Sequence, residues 1–283
     1  MKKRFLVLIL FVLILVFTST ASYLYIRYQD LSADYNDLTG KYEDLTSKYN
    51  DLTSDYENLV ENHSQLINDV FNTSQNNCTA VTVLYYTNFG ADQQTMTISI
   101  AYKTYEDYHN RFHPKWDEKN LTSAEEYITH EDTIINQIVE SIRNQTNGEE
   151  ELANALLDFV QYKDISLSIR YYPTTELKYP IETLVEMGGD CDAHSFLYAT
   201  LMKAAGFDVL LLLSKEPVDG SIRHVATAVH LASPPAHSLP EYDDKVITLE
   251  EKEYYFAETT SWNYRVGDYP TPLQNVDFYM IAI

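Results

Sequence analysis

The apolar positions of this chain change their period several times, and each change predicts a different element. Thirteen strongly apolar residues, Phe5–Phe17, follow Lys2, Lys3 and Arg4, and the longer stretch Phe5–Ile26 holds 22 residues without a charge before Arg27. Two readings fit. A basic start, a short apolar run and the small residues Ser19-Thr20-Ala21 suit a cleaved signal peptide. The full stretch also suits an uncleaved anchor, since it can cross a hydrocarbon core of about 30 Å. Tyr23, Leu24, Tyr25 and Ile26 extend the span and supply an interfacial aromatic belt, which favours the anchor. Three basic residues before the span and one after it set the N-terminus in the cytoplasm. Under either reading the remainder of the chain is expected outside the cell.

From Tyr28 the period becomes seven. Tyr28, Tyr35, Tyr42, Tyr49 and Tyr56 form one row, continued by His63 and Val70, and Leu31, Leu38, Leu45, Leu52, Leu59 and Leu66 form the row three residues on. This a/d pattern predicts a coiled-coil stalk over residues 28–71, and with it a homodimer or trimer. Tyr at the a position brings a hydroxyl that must reach solvent or a partner. Thr39, Thr46 and Thr53 at e, with Gly40 inside, lower helix propensity, so a partly ordered acidic spacer is the alternative. Residues 72–80 are a polar joint containing Cys78. That cysteine is either an interchain disulfide between neighbouring stalks, a free thiol, or a residue packed into the first strand.

Residues 81–283 carry globular patterning, with a core expected at about 149–270. Alternation in residues 80–87 and 95–102 predicts a hairpin-like strand pair. Ser123-x-x-Glu126 resembles a capping box and predicts a helix running to about Arg143. A second helix is predicted from Glu149 to Tyr162, after Gly148. His109 and His113 have the spacing of metal ligands on a helix, but Pro114 and the absence of a nearby acid partner favour an ordinary surface or aromatic-cluster role. Gly188-Gly189 then breaks the chain, Asp190 is a good N-cap, and Cys191 opens a helix ending at Gly206, followed by a strand over 207–214. A cysteine at a helix N-terminus has its thiolate favoured by unpaired N–H groups. Glu186, Asp190 and Asp192 oppose it, so a nearby imidazolium is needed.

Composition narrows the class. With 20 Lys+Arg against 42 Asp+Glu the net charge is -22, which repels nucleic acid. Ten acidic and two basic residues between Tyr28 and Phe71 account for -8 of it. Two cysteines exclude a disulfide framework or a four-thiolate zinc site. Sequons at Asn62, Asn72, Asn77, Asn120 and Asn144 agree with an external, glycosylated chain. The sequence shows no phosphate loop, dinucleotide fingerprint or metal cluster, so no cofactor and no metal are expected.

The run GGDCDAHSFLYATLMKAAGFDV resembles the cysteine segment of the transglutaminase-like superfamily, within the papain-like folds. His224-Val-Ala-Thr-Ala-Val-His230-Leu resembles its histidine strand, and Tyr255-Phe-Ala-Glu258-Thr-Thr260 its acidic strand, with Glu in place of the usual Asp. Archaeal surface proteins with this domain are particularly similar. The resemblance covers about residues 179–270. It implies an α+β domain with the cysteine helix packed on an antiparallel sheet, here preceded by a transmembrane helix and the stalk. It further implies Cys191 as nucleophile, His224 as general base and acid, and Glu258 as orienting carboxylate. His194, one helical turn from Cys191, and His230, at the far end of the same strand as His224, are weaker rivals for the base. Asp190 and Asp192 are expected as cap and solvated surface. The implied activity is acyl transfer on peptide or glutamine-type amides through a thioester, with hydrolysis favoured slightly over cross-linking. A non-catalytic surface-binding module on the same fold is the alternative.

Overall fold

The structure is a computed structural model that describes scattered positions between residues 18 and 54, and residues 78–283 apart from 117–118, 164–166, 175, 219–222, 238–242 and 245. It divides into two compact units, Met1–Thr73 and Ser74–Ile283.

In the first unit the described positions are helical. Tyr28, Leu31, Tyr35, Leu38, Tyr42, Leu45, Tyr49 and Leu52, all members of the heptad rows, are 65–70% exposed. The threonines at e are accommodated by back-bonding: Thr39, Thr46 and Thr53 each donate to the carbonyl four residues earlier, at 2.8 Å. Lys41 and Lys48 pair with Asp37 and Asp44, each at 2.7 Å, on the same helical surface. The later heptads, residues 55–71, and most of the joint lie outside the described residues, as does the apolar run Phe5–Phe17.

The second unit begins with a hairpin. β1 (Cys78–Thr87) pairs with β2 (Asp92–Ala101) antiparallel from Cys78↔Ala101 to Thr87↔Asp92. Cys78 is a free, exposed thiol at its outer end. α1 (Tyr102–His109) follows without a break. The expected helix from Ser123 forms differently. Residues 121–127 make a 3-10 turn, because the Ser123 hydroxyl is committed to the carbonyls of Lys115 (2.9 Å) and Asn120 (2.8 Å) rather than to a helix N-terminus. The helix proper, α2 (Thr133–Arg143), is capped by Asp132, which accepts from Ile134 N at 2.7 Å. α3 (Glu149–Val160) then leads to β3 (Arg170–Tyr171), α4 (Pro180–Val185) and β4 (Gly188–Gly189), which pairs parallel with β3.

The site-bearing half consists of α5 (Cys191–Ala204), β5 (Val209–Ser214), β6 (Val225–Val229), β7 (Asp243–Asp244), β8 (Val246–Leu249), β9 (Lys252–Ala257), β10 (Asp268–Tyr269) and β11 (Phe278–Ala282). Five of these form an antiparallel sheet in the order β11-β5-β6-β9-β8. β5 is LLLL-rich and buried throughout, as is β6, which suits strands covered on both faces. α5 packs on β5 and β6, with Phe196, Leu197, Leu201 and Met202 fully buried. The sheet's other apolar side chains, among them Leu210, Leu212, Ala228 and Phe256, form a second cluster with Tyr269 and Leu273.

The expected fold class therefore needs correction. What is observed is a mixed α/β arrangement with a curled antiparallel sheet. Among the described residues no helix is long and apolar enough to cross a membrane, so the transmembrane helix expected ahead of the stalk is not supported. The physical reason is one of composition: the described helical positions from Thr18 onward are largely polar and charged, and the continuous apolar run lies outside them.

Candidate active site

Strand register brings the candidate base and acid together. β6 and β9 run antiparallel with Thr227 opposite Ala257. Continuing that ladder places His224, one residue before β6, two positions from direct opposition to Glu258, one residue after β9. Positions separated by two share a face. His224 Nε2 lies 2.9 Å from Glu258 Oε2. The other carboxylate oxygen of Glu258 accepts from the Thr260 N–H at 2.9 Å and from the Thr260 hydroxyl. The backbone of His224 is fixed by Ser214, whose Oγ accepts from His224 N and whose N–H donates to His224 O, both at 2.9 Å.

Electrostatics favour an imidazolium–carboxylate pair here. Burial acts to lower the His224 pKa, but the adjacent Glu258 charge and hydrogen bond outweigh it, and the net shift is upward. For Glu258 burial acts upward, yet the attraction of His224 and the two bonds from Thr260 hold the carboxyl below its ordinary range. With Nε2 held by the carboxylate, Nδ1 is the nitrogen left for a reacting group. The Glu258 side chain thus reaches the imidazole from the end of the neighbouring strand.

Cys191 is delivered by a tight turn. A Cβ on Gly189 would stand 2.3 Å from the Ala193 Cβ, so only glycine lets β4 pass this close to the first turn of α5. Asp190 caps that turn, accepting from Ala193 N at 3.5 Å. One turn on, Ser195 Oγ donates to the Val225 carbonyl (3.2 Å) and bonds the Thr259 hydroxyl (2.9 Å). The cysteine helix is thereby tied to the segments that carry His224 and Glu258. Cys191 is only 7% exposed, and its thiol points to the Arg223 carbonyl at 3.9 Å. Burial, followed by the charges of Asp192 and Asp190, pushes the thiol well above the usual cysteine range. Desolvation therefore outweighs the helix N-terminus, and the resting group is a neutral thiol.

Two cavities meet at Cys191. The larger, about 730 Å³, has Trp116, Tyr171, Glu176, Asp190 and Asp192 on its walls. The smaller, about 280 Å³, contains His224 and Glu258 together with Val218, Pro270, Pro272 and Leu273. Tyr171, Cys191 and Arg223 line both. All three candidate residues thus border one cleft.

The remaining candidates separate clearly. His194 is buried, with Nδ1 2.7 Å from the Val160 carbonyl and Nε2 3.2 Å from that of Arg170, and burial lowers its pKa. It is a structural imidazole. His230 stands at the far end of β6 with Nδ1 on the Glu253 carbonyl (2.8 Å). Asp192, expected as solvated surface, instead has a buried Oδ1 without a hydrogen-bond partner, and burial holds its carboxyl well above the ordinary value. His109 and His113 do have an acid partner: both face Glu182, at 3.0 and 2.8 Å.

Several wall residues had no sequence signal. Trp116 packs against Phe196, ring centroids 5.2 Å apart, and reaches the Cys191 cluster from a loop 75 residues upstream. Its indole N–H donates to the Leu121 carbonyl (3.1 Å), so it is a wall and not a donor to the cleft. Tyr171 enters through the two-residue strand β3.

No family model, curated protein or solved structure matches this chain. The chemical content of the site rests on its residues alone: a thiol, an imidazole and a carboxylate on one cleft can perform nucleophilic acyl transfer.

Proposed function

We propose that this protein is a transglutaminase-like cysteine acyl-transfer enzyme acting outside the cell on peptide or glutamine-type amides. The observation that carries this reading is the His224–Glu258 pair on the wall of the same cleft as Cys191, at the open start of α5. Substrate binding excludes water and brings the carbonyl carbon to Sγ. In the reacting form His224 is a neutral imidazole with its proton on Nε2 toward Glu258, and the thiol proton passes to its Nδ1 as the S–C bond forms while the carbonyl π electrons move to oxygen. The Cys191 backbone N–H, at the positive end of the helix, is the candidate donor to that oxyanion. Collapse of the tetrahedral adduct breaks the C–N bond, His224 protonates the departing amine, and a thioester remains. Water then resolves it in hydrolysis, or an amine in cross-linking; hydrolysis is the outcome proposed. Glu258 holds the ring and stabilises its charge throughout.

A second reading, a non-catalytic binding module, is favoured by the buried, neutral Cys191 thiol and its bond to a backbone carbonyl. The full-length protein, incubated with a mixture of surface peptides, separates the two. The acyl-transfer reading expects new termini or isopeptide bonds by mass spectrometry, abolished in Cys191→Ala. Identical product patterns from both proteins, or none from either, would support the binding module instead.

A further inference from the structure

His109 and His113 take no part in the cysteine cleft, and what faces them is the acidic side of a second helix. α1 ends on His109, and His113 follows in the loop after it. Opposite lies α4 with Glu182 and, just beyond its end, Glu186, four residues apart and therefore on one face. His109 Nδ1 stands 3.0 Å from one oxygen of Glu182, and His113 Nε2 stands 2.8 Å from the other. Ligand atoms of His109, Glu182 and Glu186 all lie within 4.8 Å of one another. The rings are held in place: His109 stacks on Tyr105 at 5.3 Å, and His113 meets Tyr179 edge-on at 5.1 Å. Glu182 is nearly buried while the His109 side chain is 55% exposed, so the cluster has a protein floor and a solvent entrance. A cavity of about 720 Å³ borders all four residues.

The geometry points to a divalent transition-metal site in which His109, Glu182 and Glu186 are the ligands, with His113 holding the other oxygen of Glu182 from outside the set. One imidazole with two carboxylates is a nitrogen–oxygen donor set that zinc accepts, water filling the remaining position, and imidazole selects first-row ions over calcium or magnesium. Donors bound tetrahedrally at about 2.0–2.1 Å lie roughly 3.3 Å apart, close to the 3.0 Å already present between His109 Nδ1 and Glu182. The ion replaces the contact between His109 Nδ1 and Glu182. The His109 imidazole binds as the tautomer with its proton on Nε2, leaving Nδ1 as the lone pair for the ion. Glu186 is already oriented by Lys178 (2.6 Å) and by the Tyr105 hydroxyl (2.9 Å), an outer layer of the kind that fixes metal ligands. Lys178 offsets one of the two carboxylate charges, leaving one for the ion. The proposal stands independently of the cysteine chemistry.

The test is a titration of the full-length, EDTA-stripped protein with ZnCl2 against a chromophoric chelator, with both cysteines replaced by serine. One equivalent is expected to bind saturably. His109→Ala, at an exposed position that does not threaten folding, should weaken binding at least about tenfold. His230→Ala, at the far end of β6, should leave it unchanged. Cobalt substitution gives a readout that needs no ligand variant: the native protein should show the visible bands of a four-coordinate nitrogen–oxygen site, with no thiolate charge-transfer band. The absence of saturable zinc binding, binding unaffected by His109→Ala, or a thiolate-type cobalt spectrum would each overturn the proposal.

Discussion

His224 and Glu258 owe their charges to each other, and that gives them a definite signature in pH. The His224 pKa is raised above its ordinary 6.5, so its contribution to stability is fully present below that value and is lost as pH climbs through the folded pKa. Glu258 is shifted the other way, below its ordinary 4.5, so its contribution is present above that value and is lost as pH falls through the folded pKa. Between about 4.5 and 6.5 both terms act together. Denaturant unfolding of the native protein and of Glu258→Gln, compared across pH, should show the largest difference in that window and a shrinking one on either side. In the same variant the His224 ring resonances should titrate at lower pH than in the native protein, because the imidazolium loses its counter-charge. An unchanged or higher His224 pKa would mean that the 2.9 Å contact is not an ion pair in solution. Cys191 is governed by a different balance. Its thiol is held neutral by burial first and by carboxylates second. Asp190→Asn keeps a good N-cap while removing one of those charges. Alkylation of Cys191 by iodoacetamide should therefore accelerate in Asp190→Asn at fixed pH, with thermal stability little altered. Asp190→Ala, which also loses the cap, should cost about 1 kcal/mol in addition.

At the scale of elements, the turn between β4 and α5 decides where the cysteine stands. Gly189 has no room for a methyl group, since its Cβ would meet that of Ala193 at 2.3 Å inside the helix's own first turn. Gly189→Ala must push α5 away from β4, at a cost of about 1–3 kcal/mol for overpacking a fixed contact. Because Ser195 ties α5 to Val225 and Thr259, the shift also carries Cys191 relative to His224 and Glu258. Turnover should fall further than stability alone explains. Activity measured well below the variant's melting temperature distinguishes the two effects, and native-like turnover there would show that the cleft tolerates the displacement. This turn was legible in the sequence because its signals are local: paired glycines, an Asp cap and an apolar helix face follow one another directly. The β6 and β9 strands, by contrast, were expected only through the family resemblance of residues 224–231 and 255–260, not through local signals of their own. What could not be read were contacts between distant segments. Ser123 and Glu126 satisfy a capping pattern, yet the Ser123 hydroxyl bonds to Lys115 and Asn120, and nothing in the spacing reveals that choice. Glu182 lies 73 and 69 residues from His109 and His113, so their shared acid appears only once α1 and α4 are packed. Asp192 departs from its expected surface role for a related reason: it shares a cavity wall with Trp116 and Tyr171, which its own neighbours in the chain do not reveal.

On the scale of the whole molecule, the two units pose opposite problems of burial. The unit from Ser74 onward encloses its own apolar side chains, with α5, β5 and β6 almost wholly inaccessible. The unit before it leaves a regular row of tyrosine and leucine 65–70% exposed on helical positions, which a single helix cannot cover by itself. Each such side chain gains about 1.5–3 kcal/mol when fully buried, so eight of them favour self-association strongly, even after the tyrosine hydroxyls are left at the rim. Charge opposes it: residues 28–71 contribute -8 of the chain's -22, and like charges on parallel helices repel. Salt decides between the two, because screening weakens repulsion while leaving the apolar gain intact. The full-length chain, solubilised in mild detergent, should sediment as a dimer or trimer, and its dissociation constant should fall as NaCl is raised from about 0.01 to about 0.15 M. A chain beginning at Ser74 should be monomeric under both conditions, since it has lost the row. Replacing Leu31, Leu38, Leu45 and Leu52 together by Ser should give a monomer from the full-length chain as well. A full-length protein that stays monomeric at micromolar concentration in moderate salt, or that associates equally well without residues 1–73, would assign the heptads to something other than self-pairing.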